Sequence, residues 1–324
     1  MQRGNPGLET IRAAIGLAQR APSVHNSQPW RWRFDGGELD LYADRSRHLT
    51  ATDPEQRALV LSCGAVLHHL RVALAALGWA SDVEHLPDPA DPDHLATLRL
   101  TRKRPRGTDF GLTTAMVHRR SDRRRFACGE VPQRYVRTAS DYATRFGAAV
   151  QTVPESMRPQ LGKLIRTAAE RHADDARYQV ELAEWSGRRG TPDGVPARNV
   201  TSVRTDDQLP CRAFADPVLI DIAQSHDDAE WLIVSTDQDD RRAQLRAGES
   251  LSALLLAATD LGLATCIQTE PLGVPDLREE IRFSLCESRF PQAMIRAGWV
   301  RSSAAPLAET PRRGTDEVFA GTSY

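Results

Sequence analysis

The chain has 324 residues, 40% of them apolar and 26% charged, with a formal net charge of -1. Such a composition is ordinary for a globular protein of one large or two smaller domains, and near-neutral charge gives no general attraction for nucleic acid or an anionic membrane. The five cysteines (Cys63, Cys128, Cys211, Cys266, Cys286) are far apart and odd in number, with no C-x-x-C, which speaks against a disulfide framework or zinc cluster and for reduced thiols in a cytoplasm.

In chain order, "MQRGNPGLET" lacks the apolar core of a secretory signal. The apolar periodicity of residues 8–20 predicts a helix. It runs into "RAPSVHNSQPWRW" (20–32), a loop stiffened by Pro22 and Pro29 and loaded with hydrogen-bonding groups on Ser23, His25, Asn26, Ser27 and Gln28. A plain connection needs neither feature, so the loop is expected to hold something. "WRWRF" and "ELDLYAD" around Gly36-Gly37 read as a hairpin, with Trp30 and Trp32 in the core. Asp53-Pro54 is expected to start the next helix, with Asp as cap and Pro at its first position.

That helix has an echo. "GAVLHHLRVALAALGW" (64–79) and "GESLSALLLAATDLGL" (248–263) align without gaps, sharing Gly64/Gly248, Leu67/Leu251, Leu70/Leu254, Ala73/Ala257, Leu77/Leu261 and Gly78/Gly262. Steps of three and four make these one buried face ended by Gly, and each stretch precedes a strand candidate, "SDVEHL" or "ATCIQT". His68 and His69, adjacent on the first, are expected to point apart and to be core or surface residues rather than ligands. The longer run "ALVLSCGAVLHHLRVALAALGWA" (58–80) comes nearest to a membrane span but is broken by His68, His69 and Arg71.

After a strand at "LATLRL", the Arg/Pro-rich residues 101–108 read as a join between halves 1–108 and 109–324. A short helix near 111–120, a strand at "AAVQTV", a helical run from about Glu155 to Trp185, a Gly/Pro-rich loop (186–200), and strands at "AEWLIVST" and "QAMIRAGWV" complete an α+β pattern. The second half thus carries an insertion at about 155–227, as a lid or as a surface ornament. The tail from 301 is Pro-rich and expected to be extended.

Three elements could hold a ligand. Arg119, Ser121 and Arg123 form R-x-S-x-R after the short helix, and alternation on an extended segment points all three one way, a set suited to phosphate oxygens. The tail carries a second basic pair, Arg312-Arg313 after Pro311, and "ATCIQTEP" (264–271) offers a strand end. No G-x-G-x-x-G, Ser/His/Asp triad or H-E-x-x-H is present.

Together, "APSVHNSQPW", R-x-S-x-R before Phe126, the helix ending "LGLATC" and "PRRGTDEVF" resemble the FMN-dependent nitroreductase superfamily, most closely its Acg-like branch, whose members carry two nitroreductase-like halves in one chain. The order departs from ordinary members, in which R-x-S-x-R precedes the A-P-S loop; here the loop lies in the first half and R-x-S-x-R opens the second. The resemblance implies an α+β nitroreductase-like fold, an internal pseudo-dimer, and one composite flavin site per chain, in a monomer or loose homodimer. It implies FMN as cofactor, with the phosphate on Arg119, Ser121, Arg123 and either Arg312 or Arg313. Ser23, Asn26 and Gln28 would meet ring and ribityl, and Gln268, Thr269 and Glu270 would lie at flavin N5. NAD(P)H would reduce the flavin, and a nitro-aromatic, quinone or similar small molecule would accept the electrons. The alternative is FMN storage behind a closed lid with little turnover. Neither nucleic acid nor membrane is expected as a partner.

Overall fold

A computed structural model describes residues 6–35, 37–126, 129–204, 207–222 and 227–321. Helix α1 (Leu8–Ala18) leads through the loop to β1 (Trp30–Asp35) and β2 (Glu38–Ala43), an antiparallel hairpin with Trp30 opposite Ala43. Then come α2 (Arg57–Ala76), β3 (Trp79–His85), β4 (His94–Arg102) and α3 (Gly107–His118). The remainder comprises α4 (Gln133–Thr144), β5 (Ala149–Thr152), α5 (Arg158–Asp174), α6 (Ala176–Trp185), the short β6 (Ser186–Arg188) and β7 (Val195–Pro196), β8 (Glu230–Thr236), α7 (Arg241–Asp260), β9 (Ala264–Gln268), α8 (Pro275–Leu285), β10 (Phe290–Gly298), α9 (Thr315–Val318) and β11 (Phe319–Gly321).

The two main sheets follow one plan. Their shared four-strand cores run β3-β4-β2-β1 and β9-β10-β8-β5 with every neighbour within them antiparallel, β11 adding a fifth strand to the first beyond β1, and α2 joins β2 to β3 as α7 joins β8 to β9. The fold is therefore α+β with two related halves packed as an internal pseudo-dimer. Where the first half has two residues between β1 and β2, the second places α5, α6, β6 and β7 between β5 and β8. The tail crosses back: β11 pairs in parallel with β1, Trp32 opposite Phe319. Alternation on β1 buries Trp30 and Trp32 and exposes Arg31 and Arg33, so both tryptophans are core residues.

The pseudo-two-fold passes between α2 and α7. A Cβ on Gly64 would lie 2.0 Å from the Leu245 carbonyl oxygen, and one on Gly248 would lie 2.0 Å from that of Leu61. The contact is reciprocal between equivalent positions, as at an isologous dimer interface. One helical turn on, His68 Nδ1 meets Ser252 Oγ at 2.7 Å, and these positions are equivalent under the same 184-residue offset. His69 Nδ1 meets the same hydroxyl at 2.7 Å, which corrects the expectation that the adjacent rings point apart. Both histidines are core residues, and no metal-holding group of His, Cys, Asp or Glu is found among the described residues.

Other boundaries differ from expectation for local reasons. Helix α2 begins at Arg57 rather than at Pro54; Asp53 stands back from it, and its carboxylate accepts from the N–H groups of Ala58 (3.0 Å) and Leu59 (2.8 Å). The helical run to Trp185 breaks at Asp175, whose carboxylate caps α6 by accepting from Arg177 and Tyr178 N–H. Helices α4 and α8 carry no signal in the reading above, and the tail departs from the extended expectation only in the helical turn α9 that precedes the strand β11. Among the described residues one helix, Arg57–Ala76, is long and apolar enough to cross a membrane, and it is buried in the core.

Candidate functional site

One cavity gathers most of the residues singled out in the sequence. From the first half, Ser23, His25 and Asn26 of the loop line it, together with Leu61, Ser62 and Ala65 of α2. Three loop residues lack glycine yet take left-handed backbone angles: His25 (φ 46°), Asn26 (φ 57°) and Gln28 (φ 51°). Such angles are costly without glycine and persist where surroundings enforce them, commonly at functional sites. The surroundings are specific. Ser23 Oγ accepts from Gln28 N–H at 2.9 Å, Ser62 Oγ accepts from Val24 N–H at 3.1 Å, and Asn26 Nδ2 donates to the carbonyls of Gly194 and Pro311, each at 3.1 Å. Asn26 Oδ1 is buried without a protein partner.

From the second half, α3 ends at Arg119 and the chain continues extended beside β9, with Ser121 bridging Thr265 and Asp122 N–H donating to Thr265 O at 2.9 Å. Arg119, Ser121 and Arg123 all line the cavity, as do Gln268 and Thr269 at the end of β9 and Arg312 of the tail. Asp122 turns away and pairs with Arg124.

The polar end of the cavity is short of negative charge. Arg119 is buried; its Nη2 donates to Arg20 O at 3.3 Å, while Nε and Nη1 have no partner. Arg312 donates only to carbonyls, those of Arg20, Ala21, Thr310 and Pro311, and its Nε has no partner. Among the described residues neither reaches a carboxylate. The nearest acid, Glu309, binds Arg20 at 2.5 Å and Arg120 at 3.9 Å. Burial, then the neighbouring Arg120, brings the Arg119 guanidinium down to about 10; burial, then Arg119, brings Arg312 down to about 9. Arg20, Arg119, Arg120 and Arg312 thus gather near a single carboxylate, Glu309, although a buried cation is stable only when paired. Arg123 stands elsewhere on the wall: its Nη1 donates to Asn199 O at 3.0 Å and its guanidinium lies over Phe214.

Three residues expected at the site lie behind its wall. Gln28 is fully buried, donating from Nε2 to Asn26 O and Pro192 O and accepting at Oε1 from Arg313 N–H. Arg313 also donates to Gln28 O and faces Asp44, so the two brace loop against tail. Glu270 is buried between His172 (3.3 Å) and Arg212 (3.7 Å). Conversely, Val195, Asn199, Cys211, Arg212 and Phe214 come to the wall from the segment between β5 and β8, and no sequence signal marked them. Arg212 donates to His25 Nε2, and burial, then the Arg212 charge, holds the His25 imidazole well below its usual range.

Comparison with known proteins identifies the family. The model described as "Nitroreductase family" matches residues 116–299, from the end of α3 to the end of β10. Two Mycobacterium tuberculosis proteins, each a candidate NAD(P)H nitroreductase by name, align over nearly the whole chain. Rv3131 is 41% identical over 317 residues, covering 97% of this chain and 92% of that protein. The second, acg, is 36% identical over 325 residues, covering 96% and 95%. The overlay on the FMN-dependent nitroreductase NfnB from Mycobacterium smegmatis is slight, with a TM-score of 0.42 at 19% identity over 67% of this chain and 99% of that one. On the family match and the two near-full-length relatives, this chain belongs to the nitroreductase family.

Proposed function

We propose that the chain is an FMN-binding oxidoreductase that takes electrons from NAD(P)H and passes them to a nitro-aromatic, quinone or similar small acceptor. The observation that carries this reading is the pair Arg119 and Arg312, with buried guanidinium nitrogens unpartnered and, among the described residues, no carboxylate bonded to either. Those residues fit a phosphate, with the Ser121 hydroxyl beside them. Arg123 belongs to the same lining and would reach the nearer part of the ligand. Ser23 and Asn26 would meet ring and ribityl, the free Asn26 Oδ1 accepting from a ring N–H, and Gln268 and Thr269 would bring the end of β9 to the reacting edge. Gln28, Glu270 and Arg313 act by holding that wall in place.

FMN, when bound, supplies hydride acceptance and donation at N5, with donor and acceptor visiting in turn. The chain's own work is to bind the anion, to orient the ring against the apolar side chains of Leu61, Met116, Leu251 and Ile267, and to exclude water there. Both halves, divided near residue 108, contribute to a single composite site.

A specific observation also favours storage. The segment between β5 and β8 is tied down over the loop: Asp193 pairs with Arg47 at 2.6 Å, Glu181 accepts from Ala51 and Thr52 N–H, and Gly194 and Pro192 accept from loop amides. The visible spectrum of the purified chain, taken without oxygen before and after NADPH, separates the readings. A flavin band that bleaches supports turnover, and one that stays supports storage. No band, even after added FMN, would overturn both.

A further inference from the structure

Two of the cysteines do not behave like buried filler. Cys211, on the segment between β5 and β8, lines the cavity, and its sulfur accepts from Gln268 Nε2 at 3.0 Å and from Arg296 Nη1 at 3.1 Å. Cys266, buried on β9, has its sulfur 3.7 Å from the same Gln268 Nε2, so one amide nitrogen contacts both sulfurs. The neighbouring Cys266 thiol, with the charges of Arg296 and Arg123, outweighs burial and brings Cys211 down to about 6, while Cys266 is driven up. Cys63 and Cys286 show the contrast: burial pushes both thiols up, Cys286 to about 12. Reactivity follows the thiolate, and among the described cysteines only Cys211 combines access to the cavity, donors and a neighbouring thiol.

We infer that Cys211 and Cys266 are a hydroperoxide-sensitive pair, Cys211 the attacking thiolate and Cys266 the resolving thiol, closing to a disulfide that fastens the segment over the cavity to β9. The Cys211 sulfur attacks the distal oxygen of the hydroperoxide. The S–O bond forms as the O–O bond breaks, and the departing alkoxide or hydroxide takes a proton from solvent. Cys266 sulfur then attacks the sulfenic acid; S–S forms, S–O breaks, and water leaves with the thiol's proton. Two electrons pass from the sulfurs to the peroxide, and a dithiol reductant reverses the change. No step involves flavin, so the inference stands or falls apart from the proposed function.

The test treats the full chain with hydrogen peroxide, denatures it in an alkylating reagent, and maps the cysteine peptides by mass spectrometry. The expected result is the Cys211 peptide joined to the Cys266 peptide, with Cys63 and Cys286 alkylated. In untreated folded protein at pH 7, Cys211 should be alkylated at least about 10-fold faster than Cys63 or Cys286. In Cys266→Ser the sulfenic acid should persist on Cys211 and be trapped by a 1,3-diketone. Both thiols still alkylated after peroxide would overturn the inference. So would Cys211 joined instead to Cys128, which lies outside the described residues, or to a second chain.

Discussion

The seam between α2 and α7 and the arginine end of the cavity are both buried, and they are built on opposite principles. At the seam the contacts are uncharged and come from inside the chain: glycine packs on its equivalent glycine, and both histidine rings turn Nδ1 to the Ser252 hydroxyl, leaving only their neutral Nε2 atoms without a partner. At the cavity, Arg119 Nε and Nη1 and Arg312 Nε are buried on charged groups and have no acceptor, and the remaining nitrogens reach only carbonyls. Close packing without vacancies marks a region whose purpose is the fold itself. A buried charge cluster left unpaired marks one whose partner is not part of the polypeptide, since an isolated interior charge is otherwise selected against.

The contrast can be broken most forcefully at the seam. Gly64→Ala or Gly248→Ala puts a methyl 2.0 Å from a backbone carbonyl that cannot move aside cheaply. Each should cost about 3 kcal/mol or more, read by chemical denaturation, or prevent folding outright. Ordinary stability in either variant would mean the helices do not meet there. At the cavity the expectation reverses. Arg119→Ala should lower FMN affinity by about 10- to 100-fold, yet leave the flavin-free protein as stable as before, because one 3.3 Å bond to a carbonyl is all it forfeits. A destabilised flavin-free variant would show that Arg119 is structural.

Acid sharpens the comparison. Burial holds His25, His68 and His69 below the usual imidazole range, His68 at about 3. The folded state therefore refuses protons that the unfolded chain takes up below about pH 6.5, so stability is full above that pH and declines as pH falls. Each histidine should contribute a slope of about 1.4 kcal/mol per pH unit between about pH 6 and 4, and His68→Gln should remove one such share. An unchanged slope in that variant would contradict its burial as the neutral form. The smallest effect concerns Glu309, the acid among four arginines: Glu309→Gln should tighten FMN binding about 2- to 5-fold, since an exposed competing charge is well screened. Weaker binding would mean that the carboxylate positions Arg20 and Arg120.

Much of the seam was legible in the sequence, because a repeat in register reports its own packing: the glycines at 64 and 248 stood opposite each other in the alignment before they did so in space. The loop's stiffness was legible from Pro22 and Pro29, but the left-handed angles at His25, Asn26 and Gln28 were not, since none is glycine. Arg119 and Arg312 could be read from local motifs. Gln28 and Arg313, each read as touching the ligand, bond to one another instead, a pairing across 285 residues that no local pattern carries. Cys211, Arg212 and Phe214 were missed for the same reason, reaching the cavity only through the docking of the segment that bears them.

The most direct measurement is the affinity of the flavin-free chain for FMN and for riboflavin, which lacks the phosphate, repeated on the Arg119→Ala/Arg312→Ala variant. If the unpaired arginines exist to hold a phosphate, FMN should bind at least about 100-fold more tightly than riboflavin, and the variant should close that gap to within about 3-fold. Equal affinity of the unmodified chain for the two flavins, or a gap that survives in the variant, would contradict the account.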